Sequence, residues 1–334
     1  SLELAAADPG VDAVLALTAT TAAGDLVPEV SAARLPVPIA AAVMDQVEAI
    51  RLLPGPGEDG PAVPAYAYPE SAARALGHAA RYGIWRAAPP GRIPELDGLH
   101  PDRAKELVAG LLADAPTGGW LPLAATAELL GCYGVPLAAG ITVTTEDTAI
   151  AAAERFAGPV ALKADVPGLA RSSAAYTVAP GLHGADDIRR GFRTLRENLG
   201  QQLTAVIIQP MITGGTEVTI SMLHEQVLGP LVLLGPGAAA AGTLADRAAR
   251  ITPLTDSDAE HLIRSVPGRG APSADLAALK DMLLRVSRIA DDLPQIAELH
   301  LIPVIAWPAG AQVLDARVRI QAAEPADAYL RRLP

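Results

Sequence analysis

The sequence predicts an α/β protein in two parts, a small α/β layer domain followed by a larger α+β part. Its 334 residues are enough for two domains that each bury a core of their own. The Pro- and Gly-rich stretch 88–100, APPGRIPELDGLH, is typical of a boundary between domains. Helical patterns alternate with strands before residue 200, whereas strand-like apolar runs dominate after it.

Composition argues against several classes of function. The net charge of −11 argues against binding nucleic acid through its phosphates and against docking on anionic lipid. No apolar run reaches the length of a membrane span. The single cysteine, Cys132, cannot form an internal disulfide, so a cytoplasmic location is predicted. The chain begins SLELAAAD, without methionine, and we expect it to be part of a longer protein.

The first part is predicted to run in the order strand, helix, strand, loop, strand, helix. Its strands are 11–17, 37–44 and 63–67, and its loop is the Gly- and Pro-rich segment 54–64. The closing helix begins at Pro69, a residue suited to a first helical turn, and continues to residue 86.

The second part is predicted from hydrophobic spacing and from helix start and stop signals. We expect a β-α-β unit in which two strands flank the helix 146–157. The last strand, QVLDARVRI, alternates apolar and polar residues from Val313 to Ile320. The predicted helices are 101–115, 121–133, 146–157, 185–199, 256–265 and 275–290. The predicted strands are 140–144, 159–164, 204–210, 217–223, 230–235 and a terminal pair, of which the final run is the second.

The strand 159–164 and the loop after it carry the most specific pattern in the chain. VALKADVPGL places Lys163 near the end of an apolar strand, followed by a turn with Pro167 and Gly168. This segment resembles the nucleotide-binding strand and loop of ATP-grasp ligases, specifically the ADP-forming acyl-CoA synthetases. Further segments carry the resemblance in the same order: LLGCYGVP, VIIQPMITGGTE, LGPLVLLGPG, ADRAARITPLT, LLRVSRIADDLPQIAEL and VLDARVRI.

The resemblance implies a domain organisation for this chain and further domains outside it. Residues 1–88 resemble the flavodoxin-like connecting domain of that family, and 89–117 are a linker and helix. Residues 118–205 and 206–320 resemble the two α+β lobes of the ATP-grasp domain, and 321–334 are a tail. The enzymes use ATP, CoA and a carboxylic acid, and pass phosphate through histidines. The CoA-binding and phosphohistidine domains of the family are expected upstream, outside this chain.

The resemblance also assigns candidate nucleotide-binding residues. Lys163 matches the strand lysine that contacts ATP phosphates, and burying a lysine on an apolar strand is costly without an anion. The alternative is a lysine that extends to the solvent. The segment 207–211, with Gln209, Pro210 and Met211, matches the linker whose backbone contacts adenine. Glu217 matches a glutamate that faces the nucleotide, or is a solvated carboxylate at a strand start.

The reactive positions of the family are changed. Arg171 stands where the phosphate-accepting histidine is expected, and a guanidinium cannot form that phosphoramidate. Ser172 replaces a lysine, and Tyr176 stands where a glycine would let the backbone approach a phosphate. Pro236 removes a backbone donor from the glycine-rich loop. Arg171 could still hold a phosphate as a fixed cation, so we count it among the nucleotide-binding candidates.

The metal site implied by the resemblance is also depleted. His300 and Ile302 stand where the family has an aspartate and an asparagine, and isoleucine offers no lone pair to magnesium. Asp315 remains as a weak candidate ligand. We therefore expect ATP or ADP to bind with little dependence on magnesium.

Three functions are compatible with this pattern. The first is a degenerate, regulatory module of a larger protein, for example one with a Gcn5-related acetyltransferase domain. The second is part of an active ADP-forming acyl-CoA ligase. The third is a structural module that only dimerises, and the sequence leaves a homo-oligomer open in each case.

Overall fold

The computed structural model describes residues 1–19, 24–44, 46–55, 60–165, 178–225, 227–237, 247–266 and 276–322. The chain divides into two compact units, Ser1–Pro90 and Gly91–Pro334. No helix within these described ranges is both long and apolar enough to cross a bilayer.

The first unit is a four-stranded sheet with helices on both faces. Its strand order is β1-β2-β4-β3, in which β1, β2 and β4 are parallel and β3 is antiparallel to β4. The alternating alanines of β2 fill two separate clusters, one under each face of the sheet. The elements are α1 (Leu2–Ala6), β1 (Val14–Thr18), α2 (Val27–Ala32), β2 (Ile39–Val43), β3 (Ile50–Leu53), β4 (Val63–Tyr66) and α3 (Pro69–Ala87).

A smaller sheet of the second unit contains the strand that carries Lys163. Its order is β6-β9-β7-β8, and β9 is antiparallel to both β6 and β7. The predicted β-α-β unit is therefore present as two parallel strands with β9 inserted between them. Helices α6 and α7 pack with the sheet in one apolar cluster. The elements are β6 (Ile141–Val143), α6 (Glu146–Ala153), β7 (Val160–Asp165), β8 (Val178–Leu182), α7 (Gly184–Leu199) and β9 (Ala205–Pro210).

The helices of this sheet begin where sequence signals place them. Thr145 and Thr148 form a capping box at the start of α6. The stripe on α7 buries Ile188, Phe192 and Leu195, as its helical spacing predicts.

The larger sheet of the second unit has the order β12-β11-β10-β13-β15-β5, with β14 paired to β13. One face is apolar, with Val218, Ile220 and Met222 of β10 in a core that helices from both ends of the unit share. The elements are α4 (Pro101–Asp114), β5 (Gly119–Trp120), α5 (Leu123–Cys132), β10 (Thr216–Glu225), β11 (Gly229–Pro236), β12 (Ala248–Ile251), α8 (Asp256–Ser265), α9 (Leu276–Asp292), β13 (Ile296–Trp307), β14 (Gly310–Val313) and β15 (Ala316–Ile320).

Two sequence expectations differ from this architecture. The prediction that QVLDARVRI forms one continuous strand is wrong, because the chain bends at residues 314–315 and divides it into β14 and β15. Val313 is buried in the core at the end of β14, where it pairs with Val304 of β13. The division at 205/206 does not coincide with the division between sheets, because β9 lies in the smaller sheet and α5 in the core of the larger one.

Candidate functional site

Lys163 reaches from the smaller sheet to the edge of the larger one. Its neighbour Leu162 is fully buried in the cluster beneath α6 and α7, so strand alternation turns Lys163 to the opposite face. There its Nζ donates a hydrogen bond to the backbone oxygen of Leu314, 2.9 Å away. Leu314 lies between β14 and β15, directly before Asp315. The ammonium group of Lys163 therefore lies at the short segment that also contains Asp315, the candidate metal ligand.

The chain connects the two sheets at the same place. The amide of Ala138 donates to the oxygen of Val313 over 2.7 Å, and the amide of Val313 donates to the oxygen of Pro136 over 2.9 Å. These bonds anchor the segment between α5 and β6 beside the contact that Lys163 makes. The position of Lys163 is thus fixed by main-chain pairing on both sides.

Gln209 is buried, with 5% of its surface exposed, on the same face of the smaller sheet as Lys163. Its Nε2 donates a long hydrogen bond of 3.4 Å to the oxygen of Ala138. A Cβ on Gly140 would lie 2.8 Å from Ile207 Cγ2 and 3.2 Å from Gln209 Cγ, so a larger residue would displace this face. Gln209 therefore contacts the segment that joins the two sheets.

The end of β9 offers few backbone donors for an adenine ring. Pro210 has no N–H, and the amide of Met211 donates to the oxygen of Pro159 over 2.9 Å. Carbonyl oxygens can each accept a second hydrogen bond. We therefore expect an adenine edge here to be read mainly by backbone acceptors.

Arg247 lies over Gly235 of β11, and Glu217 lies over Gly237, the residue after that strand, on the face opposite the helical core. A Cβ on Gly237 would lie 2.6 Å from Glu217 Cγ, and a Cβ on Gly235 would lie 2.9 Å from Arg247 Cγ. The strands on both sides of β11 thus place charged side chains across it.

On the same face of the larger sheet, side chains of β10, β13 and β15 form a hydrogen-bonded network. His300 Nδ1 lies 3.1 Å from the hydroxyl of Ser221, which is 3% exposed. The Nε2 of His300 lies 3.1 Å from Glu298 Oε2, and Arg319 Nε donates to Glu298 Oε1 over 2.8 Å.

The electrostatics of this network fix the imidazole of His300. Burial alone would raise the pKa of Glu298, but hydrogen bonds from His300 and Arg319 outweigh it and hold that pKa below its usual value. Because an ionised carboxylate only accepts, Nε2 of His300 donates to it. The Trp120 ring lies beside the imidazole, with centroids 6.1 Å apart. With both ring nitrogens engaged, His300 is held in one orientation.

The described residues do not fit a magnesium site of the kind the fold family implies. Ile302 offers only its backbone, and its amide donates to the oxygen of Asp315 over 2.8 Å. His300 is committed to Ser221 and Glu298. Within the described part of the chain, no three His, Cys, Asp or Glu side chains come together as a metal-binding group.

The structure brings some of the predicted site residues together. Lys163 and Gln209 share one face of the smaller sheet, and Asp315 follows the oxygen that Lys163 contacts. Glu217 lies on the larger sheet over β11. Arg171 lies outside the described residues, as do Ser172 and Tyr176.

Sequence reasoning did not single out Ser221, Glu298 or Trp120, and it treated His300 only as a lost aspartate. The available signal was the alternation of Glu298 and His300 with the buried Leu299 and Leu301. That alternation marks a polar face, but it does not name the partners on other strands.

Comparison with known proteins agrees with this geometry. The family model described as "ATP-grasp domain" matches residues 113–320. The chain is 27% identical over 270 residues to a 4-hydroxybutyrate–CoA ligase [ADP-forming] of Nitrosopumilus maritimus, covering 77% of this chain and 38% of that protein. It is 31% identical over 206 residues to the acetate–CoA ligase [ADP-forming] II subunit beta of Pyrococcus furiosus, covering 57% of this chain and 87% of that subunit.

A solved structure gives the same likeness. The dinucleotide forming acetyl-coenzyme A synthetase 1 of Ca. Korarchaeum cryptofilum, in complex with coenzyme A, Ca-AMPCP and HgCl+, superposes with a TM-score of 0.59 at 27% identity. The match covers 65% of this chain and 100% of that one.

Proposed function

The chain belongs to the ATP-grasp domain family, as the ATP-grasp part of an ADP-forming acyl-CoA synthetase homologue, and from this we propose its function. We propose that it binds an adenine nucleotide between the two sheets of its second unit and transfers phosphate poorly or not at all. It then acts as a nucleotide- or acyl-CoA-responsive regulatory module of a larger protein.

The contact between Lys163 and Leu314 carries this proposal. It sets an ammonium group on the face of the smaller sheet opposite α6 and α7, at the segment that leads into Asp315. A nucleotide phosphate would be a stronger acceptor for this group than a neutral carbonyl, because charge-assisted hydrogen bonds are the stronger ones. The site is therefore suited to exchange one acceptor for the other when an anion enters.

The poor phosphoryl transfer follows from what the sequence places at the reactive positions. Arg171 cannot accept a phosphoryl group, and Ile302 cannot bind a metal ion through its side chain. Phosphoryl transfer depends on cations that neutralise the charge developing in the transition state. Loss of a metal ligand and of the acceptor together affects both binding of the metal and the chemical step.

Calorimetry with ATP and ADP, each with and without magnesium, tests the binding proposal. We expect both nucleotides to bind, with affinities that differ little and that depend weakly on magnesium. Tight ATP binding that requires magnesium would show that the metal site is intact. Absence of binding for both nucleotides would leave a structural module.

The chemical step needs a separate measurement, on this chain combined with CoA-binding and phosphohistidine domains of the kind that the resemblance implies. We expect ADP and acyl-CoA to form from ATP, CoA and a carboxylic acid far more slowly than in active relatives. Formation of both products at the relatives' rates would contradict the proposal.

A second candidate is part of an active ADP-forming acyl-CoA ligase. It is favoured by the 31% identity to the subunit beta of an acetate–CoA ligase and by the presence of Lys163 and Asp315. The chain spans 38% of the length of the single-chain 4-hydroxybutyrate–CoA ligase. The domain attached to the chain therefore separates the two candidates: an acetyltransferase domain favours regulation, and an upstream phosphohistidine domain favours the ligase.

A further inference from the structure

We propose that Arg247 binds a phosphate group of the adenine nucleotide, at a position where its side chain crosses β11; this rests on the proposed function above. The resemblance counts Arg247 among the family positions that remain, but it assigns phosphate contacts only to Lys163 and Arg171. The geometry of β10, β11 and the start of β12 points to this additional contact.

The register of the three strands sets Arg247 in its place. Thr219 of β10 pairs with Gly235 of β11, and Leu234 pairs with Ala248 at the start of β12. Arg247, one residue before Ala248, therefore comes opposite Gly235. A Cβ on Gly235 would lie 2.9 Å from Arg247 Cγ, 3.7 Å from its Cδ and 3.1 Å from Thr219 Oγ1. The aliphatic part of the arginine thus lies flat across the strand.

This face of β11 is the polar side of the sheet. Val218 and Ile220 face the helical core, so the alternate residues Glu217 and Thr219 point the other way. Glu217 lies over Gly237, two residues after Gly235 and directly beyond the end of β11. The guanidinium of Arg247 is therefore carried on the surface that also bears Glu217, on the side away from the helices.

Arg247 differs in its partners from the next arginine of the same strand. Arg250 lies 3.9 Å from Asp258 and donates to the oxygen of Ala249 over 2.8 Å. Within the described ranges, no ion pair or hydrogen bond engages the side chain of Arg247, although it is half-buried. A partly desolvated guanidinium is costly without an anion. Its planar set of donors matches a phosphate in a two-point contact.

A phosphate contact from Arg247 would compensate for a backbone donor that is missing at Pro236. Pro236, between the two glycines, has no N–H to offer a phosphate. A side-chain cation that crosses the strand from β12 replaces a backbone donor from within it. The ligand class is therefore the phosphate chain of an adenine nucleotide, bound through a charged side chain.

Calorimetry on Arg247→Ala, with Arg250→Ala as the matched control, tests this proposal, and circular dichroism verifies that each variant is folded. We expect Arg247→Ala to weaken ATP and ADP binding by about tenfold or more, the effect of one lost charge-assisted hydrogen bond. Adenosine should bind both variants within about twofold of wild type, because it has no phosphate. Arg250→Ala should bind ATP within about threefold of wild type.

The other outcomes are equally definite. Unchanged ATP affinity in Arg247→Ala, an equal loss for adenosine, or an equal loss in Arg250→Ala each overturns the role of Arg247 while the nucleotide proposal stands. Wild-type protein that binds no adenine nucleotide overturns both proposals. Pyrophosphate that binds wild type as tightly as ATP would identify a general phosphate site and overturn the nucleotide assignment. Arg247→Gln, which keeps the length and polarity of the side chain, replaces Arg247→Ala if that variant does not fold.

Discussion

Lys163 contacts the larger sheet of the second unit through a hydrogen bond to the backbone oxygen of Leu314. Lys163→Ala is expected to reduce nucleotide affinity by about 1–3 kcal/mol, because it removes one charge-assisted hydrogen bond to a phosphate. Calorimetry with ADP measures this loss. Lys105→Ala is the matched control, since Lys105 is an exposed lysine on α4. Equal ADP affinities of Lys163→Ala and Lys105→Ala would show that Lys163 does not contribute to nucleotide binding.

Glu298 provides a pH-dependent test at the same scale. Its folded-state pKa lies below the ordinary 4.5, so the stabilisation by its charged form is present above about pH 4.5 and is lost as the pH falls through the folded-state pKa. Glu298→Gln should therefore be less stable than wild type at pH 7, and the difference should shrink below pH 4.5. Urea unfolding at pH 7, 5 and 4 measures it, with the exposed Glu106→Gln as control. A difference that stays constant over this range would contradict the assignment.

At the scale of elements, the start of α8 depends on a single capping residue. Thr255 Oγ1 accepts from the amide of Asp258 over 3.1 Å, and Asp258 Oδ2 accepts from the amide of Thr255 over 3.0 Å. Thr255→Ala should lower the free energy of unfolding by about 1 kcal/mol, because the amide of Asp258 loses its acceptor, Thr255 Oγ1, and the hydroxyl's hydrogen bond to Asp258 Oδ2 is lost with it. Urea denaturation quantifies the change, and Thr255→Ser, which keeps the hydroxyl, should recover most of it. Equal stability of all three proteins would contradict the cap.

Long amphipathic helices are the elements that the sequence predicts best. The stripe of α7 and the first-turn proline of α3 identify those helices within two residues. The short elements α1, β3, β5 and β12 have too few residues to show a period, so they were not predicted. The alternation from Val313 to Ile320 continues through a bend, and only the pairing of Val313 with Val304 ends the strand there.

At the scale of the whole molecule, the second unit contains its own cores. The clusters beneath the smaller and the larger sheet are formed entirely by residues after 91. We expect residues 91–334 to fold alone and to bind ADP within about threefold of the full chain, since both sheets that frame the proposed site lie in this unit. Circular dichroism and calorimetry on this fragment measure both properties. An unfolded fragment would show that the first unit is needed for the second to fold.

The site was predictable only where neighbouring residues form a motif. Lys163 lies in a recognisable segment of sequence, so its strand and its place in the proposed site follow from VALKADVPGL. Ser221 and His300 are far apart in the chain and meet only through the antiparallel pairing of β10 with β13. Arg247 reaches Gly235 in the same way, through the register of β11 with β12. Such contacts depend on tertiary pairing, which residue spacing does not specify.

The acceptor that Lys163 uses has a consequence for how this region can change during evolution. The oxygen belongs to the main chain of Leu314, and every amino acid presents the same carbonyl. Side-chain replacements at position 314 therefore leave the acceptor in place. A replacement of Lys163, in contrast, removes the donor and with it the hydrogen bond. Among homologues, we therefore expect many different amino acids at position 314 and few at position 163. An alignment of close homologues measures this difference directly.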